Sequence, residues 1–367
     1  MTNMEIYEEL AAFHPGYYIA EVIADLNMSQ ADFAARIGTT PKNLSELISG
    51  KTSLSVALAE NIGRMLGTGA DTWINLQNNY DRKKLEISNR KDFDEQAEIS
   101  KKIDYKFFIE NAGLQKAKTV KEKIENLCAF LKISTLKVLA KHDFLVSYRS
   151  TSNASSNMQM INAKAWLQTA MNFANETEAK PYDPKLLARK IPAIRAMTCE
   201  SPDKILRNLS RELAECGVVF VFLPYLKNSY INGAVKWLYN GTPMIAMNNM
   251  RSYADIFWFS LFHEIKHVMQ KKTKSVFMGY SREEMQNVND SLEKEADEFA
   301  RNTLIPLHEY SAFVSNGDYS KAAVLRFAEK IGIAPGIVAG RLENDKKVRY
   351  GVLSCLKEKY EIKRKSN

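Results

Sequence analysis

The sequence predicts a mainly α N-terminal helix-turn-helix bundle followed by a larger α+β domain. Three observations predict it. Across residues 19–79 short helical patterns are punctuated by Gly38, Gly50, Gly67 and Gly69. Strand-forming runs are confined to 218–223 (VVFVFL), 232–238 and 244–247, the last two separated by the turn signal Tyr239-Asn240-Gly241. Helical spacing then returns from Ser252 through Gln270, over 283–302 and over 321–331. Strands followed by a run of helices indicate an α+β domain rather than an alternating α/β one.

Taken in order, the first element is a pair of short helices. Ser29 is a good N-cap, and Ala31, Phe33, Ala34 and Ile37 give a short apolar face. Gly38 supplies a turn, and Thr40-Pro41 starts a second helix with Thr at the cap and Pro at its first position. Leu44, Leu47 and Ile48 point inward, which leaves Lys42, Asn43, Ser45 and Glu46 outward until Gly50 ends the helix. In such a unit the second helix enters the major groove, and Lys42, Asn43 and Ser45 are types that bond base edges or phosphates. The segment 14–70 is nearly neutral, with Arg36, Lys42, Lys51 and Arg64 against Glu21, Asp25, Asp32, Glu46 and Glu60.

Behind it, residues 80–141 read as charged and helical, and Ile124, Leu127, Cys128, Leu131, Leu136 and Leu139 give a small helical connector. The polar cluster 147–157 (SYRSTSNASSN) reads as a linker or exposed loop. Helices are expected over 163–175 and 202–216 before the strands begin. The resulting division is 1–80 for DNA binding, 81–156 as connector, 157–345 for the second domain and 346–367 as a basic tail.

The most specific motif is His263-Glu264-Ile265-Lys266-His267. Histidines four apart on a helix project from one face, so both imidazoles can reach a single ion. Glu264 is then placed to bond a water beside that ion. A third ligand is expected on the later helical run Glu293-Lys294-Glu295-Ala296-Asp297-Glu298-Phe299-Ala300. At roughly 100° per residue, Glu293 lies roughly 60° from the centre of the apolar face set by Leu292, Ala296, Phe299, Ala300 and Thr303, and Glu295 roughly 100° away on the other side. Glu293 is the expected ligand, Glu295 the fallback, and Asp297 the acceptor that fixes a histidine tautomer. Two His and one Glu leave a zinc ion an open position, as catalytic sites require. Tyr253, Tyr280 and His308 are candidates for stabilising an oxyanion. The strand 244–248 is a candidate edge for an extended substrate.

Composition sets the outer limits. Hydrophobic residues are 45% and charged residues 26% of 367, the balance of a globular chain with two or three domains. No apolar run reaches the ~20 residues a membrane span needs, and the N-terminus lacks a secretory pattern. Cys128, Cys199, Cys216 and Cys355 are scattered, which argues for reduced thiols and a cytoplasmic location. The net charge of +8 favours polyanion partners, with the excess in 82–123 and 357–365.

Two resemblances carry these readings further. His14-Pro15-Gly16, Met28-Ser29-Gln30, Leu47-Ile48-Ser49-Gly50-Lys51 and Trp73-Ile74-Asn75-Leu76-Gln77 make residues 14–81 resemble the HigA-type antitoxin branch of the Xre/Cro family. That implies operator DNA as a partner and a homodimer. Residues 157–342 resemble the ImmA/IrrE zinc metallopeptidases, through His263–His267, Glu293–Ala300 with the following Leu304-Ile305-Pro306, and the 332–342 run GIAPGIVAGRL. That implies a gluzincin-like core, Zn2+ as cofactor, and cleavage of a repressor or antitoxin-like protein. Lys266 stands where such relatives often carry glycine and adds a cation near the site. The alternative is an antitoxin and autorepressor that binds a cognate toxin, with the zinc site vestigial or structural.

Overall fold

The computed structural model describes residues 3–141, 148–150, 157–249, 253–270 and 282–360, with the backbone alone at 148–150 and 282–290. The chain divides into two units, Met1–Glu98 and Ile99–Asn367.

The first unit opens with an antiparallel hairpin, β1 (Met4–Tyr7) and β2 (Leu10–Phe13), in which Met4 lies opposite Phe13. Five helices follow: α1 (Pro15–Asp25), α2 (Gln30–Arg36), α3 (Pro41–Ile48), α4 (Val56–Leu66) and α5 (Ala70–Lys101), within which the division falls. Local sequence explains the starts. Ser29, Thr40 and Ser55 each accept from a backbone N–H three residues on, at 3.1, 3.1 and 3.2 Å. His14 caps α1 in the same manner, its Nδ1 accepting from Gly16 N at 3.0 Å. Gly38, at φ +70°, makes the turn between α2 and α3 in a conformation that L side chains disfavour. Phe33, Leu44, Leu47 and Ile62 are all but inaccessible in the core.

The hairpin has no counterpart among the sequence expectations, because two four-residue strands without clean alternation give little periodicity. It is held from outside its own sequence: Tyr7 Oη donates to Asp94 at 2.9 Å and Lys91 pairs with Glu5 at 2.9 Å, both partners lying on α5.

The second unit begins with three short helices, α6 (Tyr105–Ala112), α7 (Val120–Leu131) and α8 (Lys137–Ala140). The expected linker is not uniformly loop: Tyr148–Ser150 is a strand, β3, while residues 142–147 and 151–156 lie outside the described ones. Next come α9 (Asn157–Asn175), α10 (Pro184–Ala196), α11 (Pro202–Glu215), then β4 (Val219–Phe222), β5 (Ile231–Trp237) and β6 (Pro243–Met247). The remainder is helical: α12 (Ala254–Met269), α13 (Arg282–Leu304), α14 (Leu307–Ser315), α15 (Lys321–Ile331) and α16 (Pro335–Asn344). Sheet order is β3-β5-β6-β4, with only the β4–β6 pair parallel.

This order corrects one expectation. β6 is interior, paired with β5 on one side and β4 on the other, and all five of its residues are buried. It offers no edge to a substrate. α12 packs between this sheet and α13 and α16. Phe257, Trp258, Leu261, Phe262, Ile265 and Val268 are buried on it, which is why its residues read as apolar nearly all round. Among the described residues no helix is long and apolar enough to cross a membrane.

The tightest crossing in the first unit is at Gly16. A Cβ there would sit 2.1 Å from the Leu47 carbonyl oxygen and 2.8 Å from Ile48 Cα, both backbone atoms. We therefore expect Gly16→Ala to destabilise the unit by at least about 1–3 kcal/mol, the cost of overpacking, read as a lower urea midpoint. Gly69→Ala, which meets open space, should leave that midpoint unchanged or raise it.

Candidate metal centre

α12 carries His263, Glu264 and His267, and α13 brings Glu293 and Asp297 to it. His263 is 1% exposed and Glu264 5%, so both are polar groups inside a helix that otherwise buries hydrocarbon. His263 Nε2 lies 3.1 Å from one Glu293 carboxylate oxygen and His267 Nε2 3.3 Å from the other. The two Nε2 atoms are 2.9 Å apart. Burial alone would raise the Glu293 carboxyl, but the His263 and His267 rings beside it, when they carry a proton on Nε2, outweigh that and hold it well below the usual range.

The outer ring nitrogens set the tautomers. His263 Nδ1 meets Asp297 Oδ1 at 2.9 Å, and His267 Nδ1 meets Gln270 Oε1 at 2.9 Å. A carboxylate and an amide oxygen only accept, so both Nδ1 atoms carry a proton, and with the rings neutral both Nε2 atoms present lone pairs. Two lone pairs and a carboxylate thus face one point, an arrangement that repels itself unless a cation sits among them. One donor atom from each of His263, His267 and Glu293 lies within 4.8 Å of the others. A tetrahedral ion with bonds of about 2.0–2.2 Å needs donors roughly 3.3 Å apart, close to this spacing. The donor set fits zinc.

The structure brings together His263, Glu264, His267, Glu293 and Asp297, and sends other sequence candidates elsewhere. Glu295 accepts from Lys266 Nζ at 2.8 Å and from Gln270 Nε2 at 2.7 Å, outside the trio, and these bonds, that of Lys266 first, lower its pKa. Lys266, the cation expected near the site, is thereby paired and lies 5.5 Å from the Phe299 ring centre. His308 is on α14 with an 81% exposed side chain, and Tyr253 caps the far end of α12. Tyr280 lies outside the described residues.

Two residues were missed from sequence. Gln270 orients His267 while its own amide donates to Leu292 O at 3.2 Å on α13; its signal was the i+3 spacing from His267. Gly233 on β5 lies against Glu264: a Cβ there would be 3.2 Å from Glu264 Oε1 and 2.8 Å from Met247 Sδ. A glycine inside a strand run marks such close approach.

In the first unit Lys42, Asn43 and Ser45 are all exposed on α3, while Leu44 and Leu47 are buried. Arg36 on the neighbouring helix pairs with Asp32 at 3.2 Å. The surface offered by α3 is polar with one cation.

Comparison with known proteins gives two family matches. The peptidase family described as the IrrE N-terminal-like domain matches residues 216–343, and the helix-turn-helix family matches residues 19–73. Over 64 residues the chain is 34% identical to the uncharacterized HTH-type transcriptional regulator YddM of Escherichia coli strain K12, covering 17% of this chain and 68% of that protein. A crystal structure from Nostoc punctiforme, provisionally described as an antidote protein of a plasmid maintenance system, is 32% identical; the match covers 23% of this chain and 92% of that one, with a TM-score of 0.22.

The hydrogen bonds behind the histidines predict a graded result. Asp297→Ala and Gln270→Ala should each weaken zinc binding by about 10–100-fold, measured by competition with a chromophoric chelator. His263→Ala should abolish stoichiometric uptake. Equal affinity in Asp297→Ala and the parent chain would show that Asp297 does not orient the ligand.

Proposed function

We propose that this chain, which belongs to the helix-turn-helix transcriptional regulators and carries an IrrE N-terminal-like domain behind its DNA-binding unit, is a regulator that cleaves a repressor or antitoxin-like protein at its zinc centre. The observation that carries the reading is the convergence of His263, His267 and Glu293 beside a buried Glu264. A structural zinc site needs no such carboxylate next to its ligands, and closes the fourth position with another ligand.

His263, His267 and Glu293 hold the ion in this reading. Zinc there would supply Lewis acidity, polarising a scissile carbonyl and making water a better nucleophile near neutral pH. The protein's own part is proton handling and orientation. Glu264 takes a proton from the attacking water and returns it to the leaving amine. Burial against Gly233 keeps its carboxylate in place and out of bulk water. Asp297 and Gln270 keep both imidazoles turned with Nε2 inward.

In the first unit α3 is the recognition helix, and Lys42, Asn43 and Ser45 contact operator DNA. With Arg36, Lys42, Lys51 and Arg64 the cations of residues 14–70, phosphate neutralisation by this segment contributes little per copy. A homodimer reading two half-sites would double the contacts, which is the partner state this reading assigns.

Two measurements test the halves separately. Glu264→Gln should retain zinc yet lose about 10²–10⁴-fold in cleavage rate, assayed on the protein products of neighbouring genes. Cleavage unchanged by the substitution removes Glu264 from the chemistry; a stable complex with a neighbouring toxin and no cut favours the antitoxin reading instead. Replacing Lys42, Asn43 and Ser45 together by alanine should abolish an operator gel shift, and a shift that survives would displace α3 as the reading helix.

A further inference from the structure

β5 meets the metal centre and the margin of the sheet at the same residues. Gly233 lies against Glu264, where a Cβ would be 3.2 Å from Oε1. One side of β5 pairs with β6 from Gly233 to Trp237. The other side is covered by β3, whose Tyr148 lies opposite Ala234 and Ser150 opposite Ile231. Those two pairs bracket Gly233. Adjacent strands stand about 4.8 Å apart, so the β3 backbone runs one strand spacing from the residue that touches Glu264. An extended polypeptide held for cleavage beside Glu264 would need that same lane.

β3 is lightly attached there. It contributes three residues, and the register shifts between its two aligned pairs. From Val235 to Trp237 that side of β5 has no strand partner among the described residues. By contrast β5 and β6 pair at five positions in unbroken register, and β4 and β6 at four. The helices on either side of β3 are also joined without it. α8 packs against α9, and Lys164 Nζ on α9 donates to the Lys141 carbonyl oxygen just after α8. The strand can therefore leave β5 while those helices stay together.

We propose that β3 is a resident blocking strand: it fills the lane on β5 in which an extended segment of the substrate protein pairs beside the metal centre, and substrate enters by displacing it. Ladder length drives the exchange. An incoming segment that follows β5 over all seven residues, Ile231–Trp237, forms a longer ladder than β3 does, and backbone pairing at a sheet edge supplies affinity with little regard to sequence. The tether opposes it. A strand on the same chain competes at an effective concentration on the order of millimolar, so short or poorly extended polypeptides do not enter. The blocked form is the resting state, and selection falls on segments that stay extended along the whole strand. The proposal rests on the peptidase reading above and adds how access to that site is controlled.

The test uses the full, zinc-free chain and a fluorescein-labelled peptide of residues 146–152 (VSYRSTS) as the competing strand, with binding followed by anisotropy. Replacing Tyr148, Arg149 and Ser150 together by proline removes every N–H that β3 could donate. That variant should bind the peptide at least about tenfold tighter than the parent chain, because apparent affinity scales with the open fraction. A second variant closes the strand reversibly. It carries Tyr148→Cys and Ala234→Cys, with the exposed Cys199 and Cys355 changed to serine, since antiparallel partners lie within disulfide reach. Oxidised, it should show no saturable binding; reduced, it should regain the binding of the parent. Equal affinity of the parent and the proline variant, both folded by circular dichroism, overturns the proposal, as does an oxidised form that binds as well as the reduced one. If the proline variant is unfolded, the disulfide pair decides alone. The same preparations, loaded with zinc, are then given the protein products of neighbouring genes. Cleavage at one rate whether the disulfide is closed or open sinks the blocking strand and leaves the peptidase reading standing. Peptide binding that follows the disulfide, with no cleavage, supports the strand and removes the peptidase reading.

Discussion

Two imidazole nitrogens facing each other at 2.9 Å inside a hydrophobic helix are the constraint on which the second unit's candidate site depends. Neither His263 nor His267 can relax by turning, because each Nδ1 is held by an acceptor. Rotating either ring would part its Nδ1 proton from the acceptor that holds it, the Asp297 carboxylate for His263 and the Gln270 amide oxygen for His267. Both acceptors depend on the pairing of α12 with α13: Asp297 lies on α13, and Gln270, at the end of α12, is anchored to α13 through Leu292 O. Metal geometry and helix register are therefore the same variable. A one-residue slip of α13 would swing Glu293 about 100° away from the histidines.

That dependence explains what could be read in advance. The histidine pair, Glu293 and Asp297 follow from helical spacing alone, and the extent of α15, Lys321–Ile331, coincides with its apolar pattern. Strand runs were legible as strands, but their order was not, since pairing is set by crossovers whose geometry no local pattern encodes. β6 illustrates this. Its Met-Ile-Ala-Met run is continuous rather than alternating, and a continuous run is what burial on both faces requires. The N-terminal hairpin was invisible because what holds it, Asp94 and Lys91, lies 87 and 86 residues away from the partners Tyr7 and Glu5. Gly233 shows the same limit: its glycine was visible, but only the sheet reveals that Glu264 is what approaches it.

In the first unit the small residues carry the information. His14-Pro15-Gly16 is at once a cap, a helix start and a crossing point, since His14 accepts from Gly16 N while Gly16 admits the backbone of α3. Trp73 and Gln77 act at the other end. Trp73 Nε1 donates to Thr68 Oγ1 at 3.0 Å, and Gln77 Oε1 accepts from Leu54 N at 2.8 Å, closing the loop before α4. Sequence marks of this kind look like recognition motifs yet are architectural: they fix where α3 stands, and the exposed Lys42, Asn43 and Ser45 inherit that position.

The choice between Glu293 and Glu295 rests on more than the angle each makes with the apolar face. On α12, Lys266 and Gln270 flank His267 on one side, and both reach Glu295. The residue that departs from the usual glycine is thus matched by an acid on the facing helix, and its charge is cancelled before it reaches the ligands. Glu295 in turn is held by two donors and withdrawn from competition for a metal. Glu293, two residues earlier and about 200° around the helix, is left as the carboxylate that both Nε2 atoms can share. A cation that looks disruptive in the motif therefore sharpens the ligand set, by engaging the carboxylate that would otherwise be the rival.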